Sequence, residues 1–256
     1  MSESVAIVTG ASSGIGRATA QRLARDFSAV VLAARSREKL VKVGEEVRAA
    51  GAKALIVEGD LSLEAATDLL VTQTMEKFGR IDALLNIAGA VASVDLFEMT
   101  DAQWNAGAEL KLHGARRLTI RSWDALKASK GAVVFMSGAA AQVPTASAAA
   151  MGVINAAILA LAKAFADRGV AEGVQVNSVL PGAVLTRRRL GMIEKSAAAK
   201  GISVEQAKQK MLTHAGVARY GEPEEIAELM AFLVSPGARW MTGASLRMDG
   251  GEVKAI

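Results

Sequence analysis

Cysteine is absent from this chain of 256 residues, which excludes disulfides, thiolate metal sites and thiol catalysis. No metal cofactor is expected. The lack of thiols fits a reducing compartment, and Met1-Ser2-Glu3-Ser4 carries no basic leader, so the sequence predicts a cytoplasmic protein. Long apolar runs are also missing. No run of about 18 or more uncharged residues looks like a bilayer span, and no membrane partner is expected. The nearest stretch, Gly138 to Leu161, is alanine-rich and contains Gln142, Pro144 and Asn155. Strong net charge is lacking too. A balance of +4 is too mild to argue for nucleic acid and suits anionic small molecules equally well. Linkers, low-complexity tails and internal repeats are absent, so residues 1–256 read as a single domain.

What is present is core-forming sequence: 51% hydrophobic residues against 22% charged. Strand and helix signals alternate throughout. The patterns predict strands at Val5–Val8, Ala29–Ala34, Ala54–Val57, Ile81–Asn86, Ala132–Ser137, Gln175–Leu180 and Ala244–Met248. They predict helices from Ser36 to about Ala50, from Ser62 (as N-cap) to Phe78, from about Asp101 to Ser129, from about Ala148 to Arg168, and from Pro223 to about Val234. Continuous apolar strands separated by helices imply a parallel sheet covered on both faces. The expected fold is α/β: a Rossmann-like, doubly wound parallel sheet of about seven strands. A more polar helical segment, 185–215, interrupts the rhythm just after a strand end. Ligands of open α/β sheets bind beyond that edge, so the segment is a candidate substrate lid.

The first strand runs into a glycine-rich turn, Thr9-Gly10-Ala11-Ser12-Ser13-Gly14-Ile15-Gly16, and then into a helix. Strand, glycine turn and helix is how such a fold holds a dinucleotide. Glycines admit backbone close to a pyrophosphate, and a helix N-terminus offers free N–H groups and a positive dipole end.

With Asp60 after the third strand, Asn86-Ile87-Ala88-Gly89, Pro181-Gly182 with Thr186, Arg219 to Ala227, and Asp249-Gly250-Gly251, this turn resembles the short-chain dehydrogenase/reductase family over essentially the whole chain. The style is similar to 3-oxoacyl-carrier-protein reductases. The resemblance implies nicotinamide dinucleotide binding by Gly10, Ser12, Ser13, Gly14, Ile15, Gly16, Arg35, Asp60, Leu61, Asn86, Ala88, Gly89, Pro181, Gly182 and Thr186. NAD-using relatives end the second strand with an acid for the ribose 2′-hydroxyl. Here that position is Ala34, followed by Arg35, with Ser12, Ser36 and Arg37 able to assist. A guanidinium in place of a carboxylate favours NADP(H) over NAD(H). The family also implies a homodimer or homotetramer, through the alanine-rich helix and the long helix before it.

The family reduces carbonyls with a tyrosine as proton donor, a lysine four residues on that lowers its pKa, a serine on the fifth strand and an asparagine on the long helix. The matching register places Met151, Asn155, Gly138 and Lys111 at these positions. Tyr220 is the one tyrosine, and Glu224, not lysine, stands four residues after it, so no shift of register restores the pair. A thioether gives no proton and an amide carries no charge. General acid catalysis is worth about 10² to 10⁴ in rate, so ordinary carbonyl reduction is expected to be absent or very slow.

Three readings stay open: a catalytically silent NADP(H)-binding protein, alone or with a paralogue partner; an oxidoreductase with another proton source, Lys111 or water; and a non-redox enzyme reusing the cleft. Lys111 either supplies a cation to the cleft or, more simply, snorkels to water. Arg187-Arg188-Arg189 either holds an anionic small-molecule ligand or forms a solvated charge run. His113 is expected on another helix face than Lys111, and Ser137 on the face of its strand opposite Gly138. Met136, Met151 and Met192 either form a soft pocket or fill core.

Overall fold

A computed structural model describes residues 4–254. Seven parallel strands form one sheet in the order β3-β2-β1-β4-β5-β6-β7. They are β1 (Val5–Thr9), β2 (Ala29–Ala34), β3 (Lys53–Glu58), β4 (Ala83–Asn86), β5 (Ala132–Met136), β6 (Gln175–Pro181) and β7 (Ser245–Met248). The chain builds outward from β1 to β3, then returns to pair β4 against β1. The crevice beyond the carboxyl ends of β1 and β4 is therefore the switch point of the topology.

Strand alternation divides the apolar residues between two layers. Ala6, Val8, Val30, Leu32, Leu85 and Val134 face one side, where they pack with Leu23 of α1 (Gly14–Leu23), Leu40 of α2 (Arg37–Ala49) and Met230 of the late helix Pro223–Leu233. Val5, Ile7, Val31, Leu84, Val133 and Phe135 face the other side. There they meet Leu70 of α3 (Glu64–Phe78), Leu118 and Leu126 of α5 (Ala115–Ser129), and Ile158 of α6 (Ala149–Glu172). The doubly wound arrangement is thus the one expected.

The local differences have physical causes. Ser62 does not cap α3; its N–H and hydroxyl both bond Asp60 Oδ1, and Leu63 takes the N-cap position. The long helix runs without a break from Asp101 to Ser129, as expected, but its middle turn, Glu109–Gly114, is π-helical between α4 (Asp101–Ala108) and α5. The 185–215 segment folds as α7 (Arg187–Lys200) and α8 (Val204–Ala215), separated at Gly201 in the left-handed conformation. These two helices share a small core of Ile193, Ala197, Ala207 and Leu212. The segment Ala146–Glu172, which contains α6, is long and apolar enough to span a membrane by length and composition. Its buried residues Ile158, Ala162 and Ala166 instead lie in the core on the sheet face.

Candidate functional site

β1 delivers Thr9 to the carboxyl edge of the sheet. Its Oγ1 accepts hydrogen bonds from the N–H groups of Ile87 and Ala88, both at 2.9 Å, and donates to the carbonyl of Leu85 at 3.2 Å. One buried threonine thus ties the ends of β1 and β4 together at the switch point. Beyond it the chain turns into α1. Gly14 has φ +55°, a conformation that disfavours a side chain. A Cβ on Gly16 would lie 2.2 Å from the carbonyl oxygen of Gly10, so the helix can sit this close to the turn only without a side chain there. Ser13, the N-cap of α1, makes no side-chain cap bond, and the first turn holds no acidic residue. The leading N–H groups and the positive dipole end are left for an anion.

The cleft in front of this turn encloses about 520 Å³. Of the residues singled out in the sequence, Gly10, Ser12, Ser13, Gly14, Ile15, Gly16, Arg35, Leu61, Ala88, Gly89 and Thr186 line it. Four other candidates are not among its lining residues. Asn86 is buried and donates through Nδ2 to Thr119 Oγ1 at 3.0 Å. Asp60 organises the turn after β3. Its carboxyl is held below the ordinary carboxylate range, first by the Ser62 N–H and then, against the cost of burial, by the Ser62 hydroxyl and the charge of Arg35. Pro181 ends β6, and Gly182 packs so tightly on Asp249 that a Cβ would approach its side chain to 2.7 Å. Asp249 in turn accepts from the N–H groups of Gly251 and Val253, both at 2.9 Å.

Arg37 does not line the cleft, whereas Ser36 and Lys39 do. Ser36 is the N-cap of α2 and Lys39 lies three residues on, the spacing that stacks side chains on one helix face. That spacing is the signal by which Lys39 was findable.

Lys111 lies on the π-helical turn and is 9% exposed, so it does not snorkel to water. Its stem packs under Gly89, where a Cβ would come within 2.9 Å of the lysine Cδ. Nζ donates to the Ser137 carbonyl at 3.1 Å and to Asn155 Oδ1 at 2.5 Å. Burial pulls the ammonium pKa down to about 8, and the nearby Arg188 charge pulls in the same direction. The partners of Nζ are both neutral.

The surrounding residues are placed as follows. Ser137 is buried and donates its hydroxyl to the Asn155 carbonyl at 2.8 Å, so it faces the α6 backbone. Gly138 is extended (φ 168°), and a Cβ there would meet Asn155 Nδ2 at 3.0 Å. Met151 and Asn155 stand one turn apart at the start of α6. Met151 packs against a small cluster that includes Val91, Ile154 and Trp104. Met136 lines the cleft, and Met192 is exposed, so the three methionines form no common pocket. Tyr220 is buried in the α7–α8 core and donates its hydroxyl to the Lys208 carbonyl at 3.1 Å.

The arginine run does not behave as a uniformly solvated stretch. Arg187 and Arg188 line the cleft. Arg188 reaches across it, donating to the Val91 carbonyl at 2.8 Å and the Gly89 carbonyl at 3.4 Å. Thr186 accepts the N-capping bond from the Arg189 N–H at 3.2 Å, and its methyl would lie 3.3 Å from a Cβ on Gly14. The start of α7 therefore forms the wall of the cleft opposite α2.

Comparison with known proteins agrees with this geometry. A family model described as enoyl-(acyl carrier protein) reductase matches residues 10–252. The short-chain reductase protein NovJ of Streptomyces niveus is 31% identical over 251 residues, covering 98% of this chain and 94% of that protein. A 3-oxoacyl-[acyl-carrier-protein] reductase of Synechocystis is 33% identical over 252 residues, 97% of this chain and 96% of that one. The crystal structure of L-sorbose reductase from Gluconobacter frateurii, complexed with NADPH and L-sorbose, superposes with a TM-score of 0.95 at 28% identity, over 100% of this chain and 98% of that one.

Proposed function

The chain belongs to the short-chain dehydrogenase/reductase family, and from that premise we propose that it binds NADP(H) but does not carry out carbonyl reduction at ordinary rates. The observation that carries this reading is the Lys111–Asn155 hydrogen bond. By the family register, Asn155 stands where relatives place the lysine and Lys111 where they place the asparagine, so the two chemistries have changed helices. Met151 stands at the tyrosine position and offers no proton; Gly138 stands at the serine position and offers no hydroxyl. The one phenol, Tyr220, is engaged within the α7–α8 core.

Three features of the cleft support the dinucleotide. Gly16 closes the turn where a Cβ would collide, the α1 N-terminus is uncapped, and Arg35 and Lys39 line the α2 end of a cleft whose lining has no acidic residue. In this reading the Gly10–Gly16 backbone and the leading N–H groups of α1 take the pyrophosphate. Arg35, with Ser36 and Lys39, takes the 2′-phosphate. NADP(H), when bound, supplies or accepts a hydride. Helices α7 and α8 act as the lid over the second ligand. The exposed Ala156, Ala160 and Ala164 of α6 give a close-packing face for a homodimer, a homotetramer or a paralogue partner.

Titration of the protein with NADPH and NADH, followed by a carbonyl substrate screen on the same sample, tests the reading. NADPH is expected to bind more tightly, with no substrate-dependent oxidation above background. Substrate-driven oxidation at ordinary enzyme rates overturns the silent reading. Failure to bind either nucleotide overturns the cofactor assignment. A second reading, an oxidoreductase with Lys111 as proton donor, is favoured by one observation: an ammonium with its pKa near 8 can donate close to neutral pH. In that case Lys111→Met removes the turnover.

A further inference from the structure

Positive charge collects at the lid end of the cleft without an acid to balance it. Among the lining residues Arg35, Lys39, Arg187 and Arg188 are basic and none is acidic. Arg35 and Lys39 sit at the α2 end, where the proposed reading uses them for the first ligand. Arg187 and Arg188 open α7 on the opposite wall.

Arg188 is held by neutral groups only. Its guanidinium donates to the carbonyls of Val91 and Gly89. A guanidinium carries five N–H donors, so three remain, and a carbonyl does not neutralise its charge. Lys111 packs its stem against the same glycine. The lysine ammonium spends two donors on the neutral acceptors Ser137 O and Asn155 Oδ1. Two full positive charges thus flank Gly89, one buried and one in the cleft wall, and neither has a carboxylate partner among the described residues. Of the two, Lys111 is the charge taken out of water, where a charge is ordinarily paired. Arg188 is exposed in the cleft lining, where its free donors are open to an anion entering the cleft.

We propose that Arg188, backed by the buried charge of Lys111, forms an anion site beside Gly89 that holds the carboxylate or phosphate group of a second ligand. The proposal rests on the dinucleotide reading only for the identity of the first ligand. Arg188 is pre-positioned by Gly89 and Val91, and its planar fork suits two oxygens of a carboxylate or phosphate. Ile87, Leu110 and Met136 give the same cleft an apolar part of its lining. The ligand class is therefore an organic acid or phosphate monoester with an apolar body.

Pentanoate, pentyl phosphate and uncharged pentanamide serve as probes, titrated by saturation-transfer NMR against the protein with and without NADP(H). Both anions are expected to bind at least about tenfold more tightly than pentanamide, and the tighter of the two identifies the head group. Arg188→Gln is expected to weaken the anions about tenfold or more, the effect of losing a charge-assisted hydrogen bond, while sparing pentanamide and NADPH. Arg188→Lys keeps the charge without the fork and is expected to fall between. Arg188 is exposed, so a thermal melt of each variant is expected to match that of the parent chain. Equal binding of anion and amide, no binding of any probe, or full anion affinity in Arg188→Gln overturns the proposal. So does a loss of NADPH affinity in that variant, which would give the arginine to the cofactor. If the parent chain fails to bind NADPH, only the cofactor reading falls, because the nucleotide-free arm tests the anion site alone.

Discussion

The Lys111 ammonium donates directly to the side-chain oxygen of Asn155, joining the π-helical turn to the start of α6 beneath the end of β5. Only one of the two positions can carry a charge comfortably. Asn155→Lys puts a second ammonium against the first. At about 4 Å and an effective dielectric of about 20, two unit charges repel by about 4 kcal/mol. Asn155→Lys alone is therefore expected to destabilise the fold by about 2–4 kcal/mol in urea unfolding. The double exchange Lys111→Asn with Asn155→Lys is expected to recover most of that loss. Equal stability of single and double variants would refute the coupling.

In the proposed reading, restoring the family's carbonyl-reducing chemistry takes four substitutions. Lys111→Asn, Gly138→Ser, Met151→Tyr and Asn155→Lys place all four groups together. Gly138 is extended, which any residue adopts, and the atom its Cβ would touch belongs to Asn155, itself replaced. NADPH-dependent carbonyl reduction is expected to rise by about 10² or more over the parent chain, the scale of a general acid gained. The three-substitution variant that keeps Lys111 is expected to fall well short, because two lysines then share one buried site. Steady-state NADPH oxidation distinguishes them.

Lys111 makes stability depend on pH in the alkaline range. Its pKa falls from the ordinary 10.5 to about 8 in the folded chain. Between these values the unfolded chain keeps a proton that the folded chain has released. The unfolded state then binds more protons, so this group's contribution to stability rises with pH from about 8 to 10.5 and is flat below 8. The rise is roughly 1–3 kcal/mol. Urea unfolding midpoints of the parent chain and Lys111→Met across pH 7 to 10.5 are expected to differ in slope in that window; parallel curves would exclude the buried ammonium.

Arg35 sets the cofactor preference in the proposed reading. Arg35→Glu replaces an anion-binding guanidinium with a carboxylate at the end of β2. The ratio of NADPH to NADH affinity is expected to fall by about ten- to a hundredfold, the worth of one or two charge-assisted hydrogen bonds. Fluorescence titration of the two nucleotides reads it, and an unchanged ratio would transfer the role to Lys39 or Ser36.

The sequence by itself determined the sheet, its two helical layers and the glycine turn. Short continuous apolar strands must be covered on both faces, and Gly14 and Gly16 belong to local backbone geometry that any chain folding through that turn must meet. The family resemblance also pointed to Arg35 and Thr186, which line the cleft because residues at strand ends and helix starts lie where the topology opens. Tertiary structure alone decided the fate of the polar side chains. Whether Lys111 reached water or turned inward depended on the π-helical turn and on Gly89 leaving room for its stem, both set by packing between segments distant in sequence. The meeting of Lys111 with Asn155, 44 residues apart, and of Arg188 with Gly89, 99 apart, follows the same rule. Apolar periodicity encodes which face of an element is buried, whereas the partner a buried charge finds is fixed only when the elements close on one another.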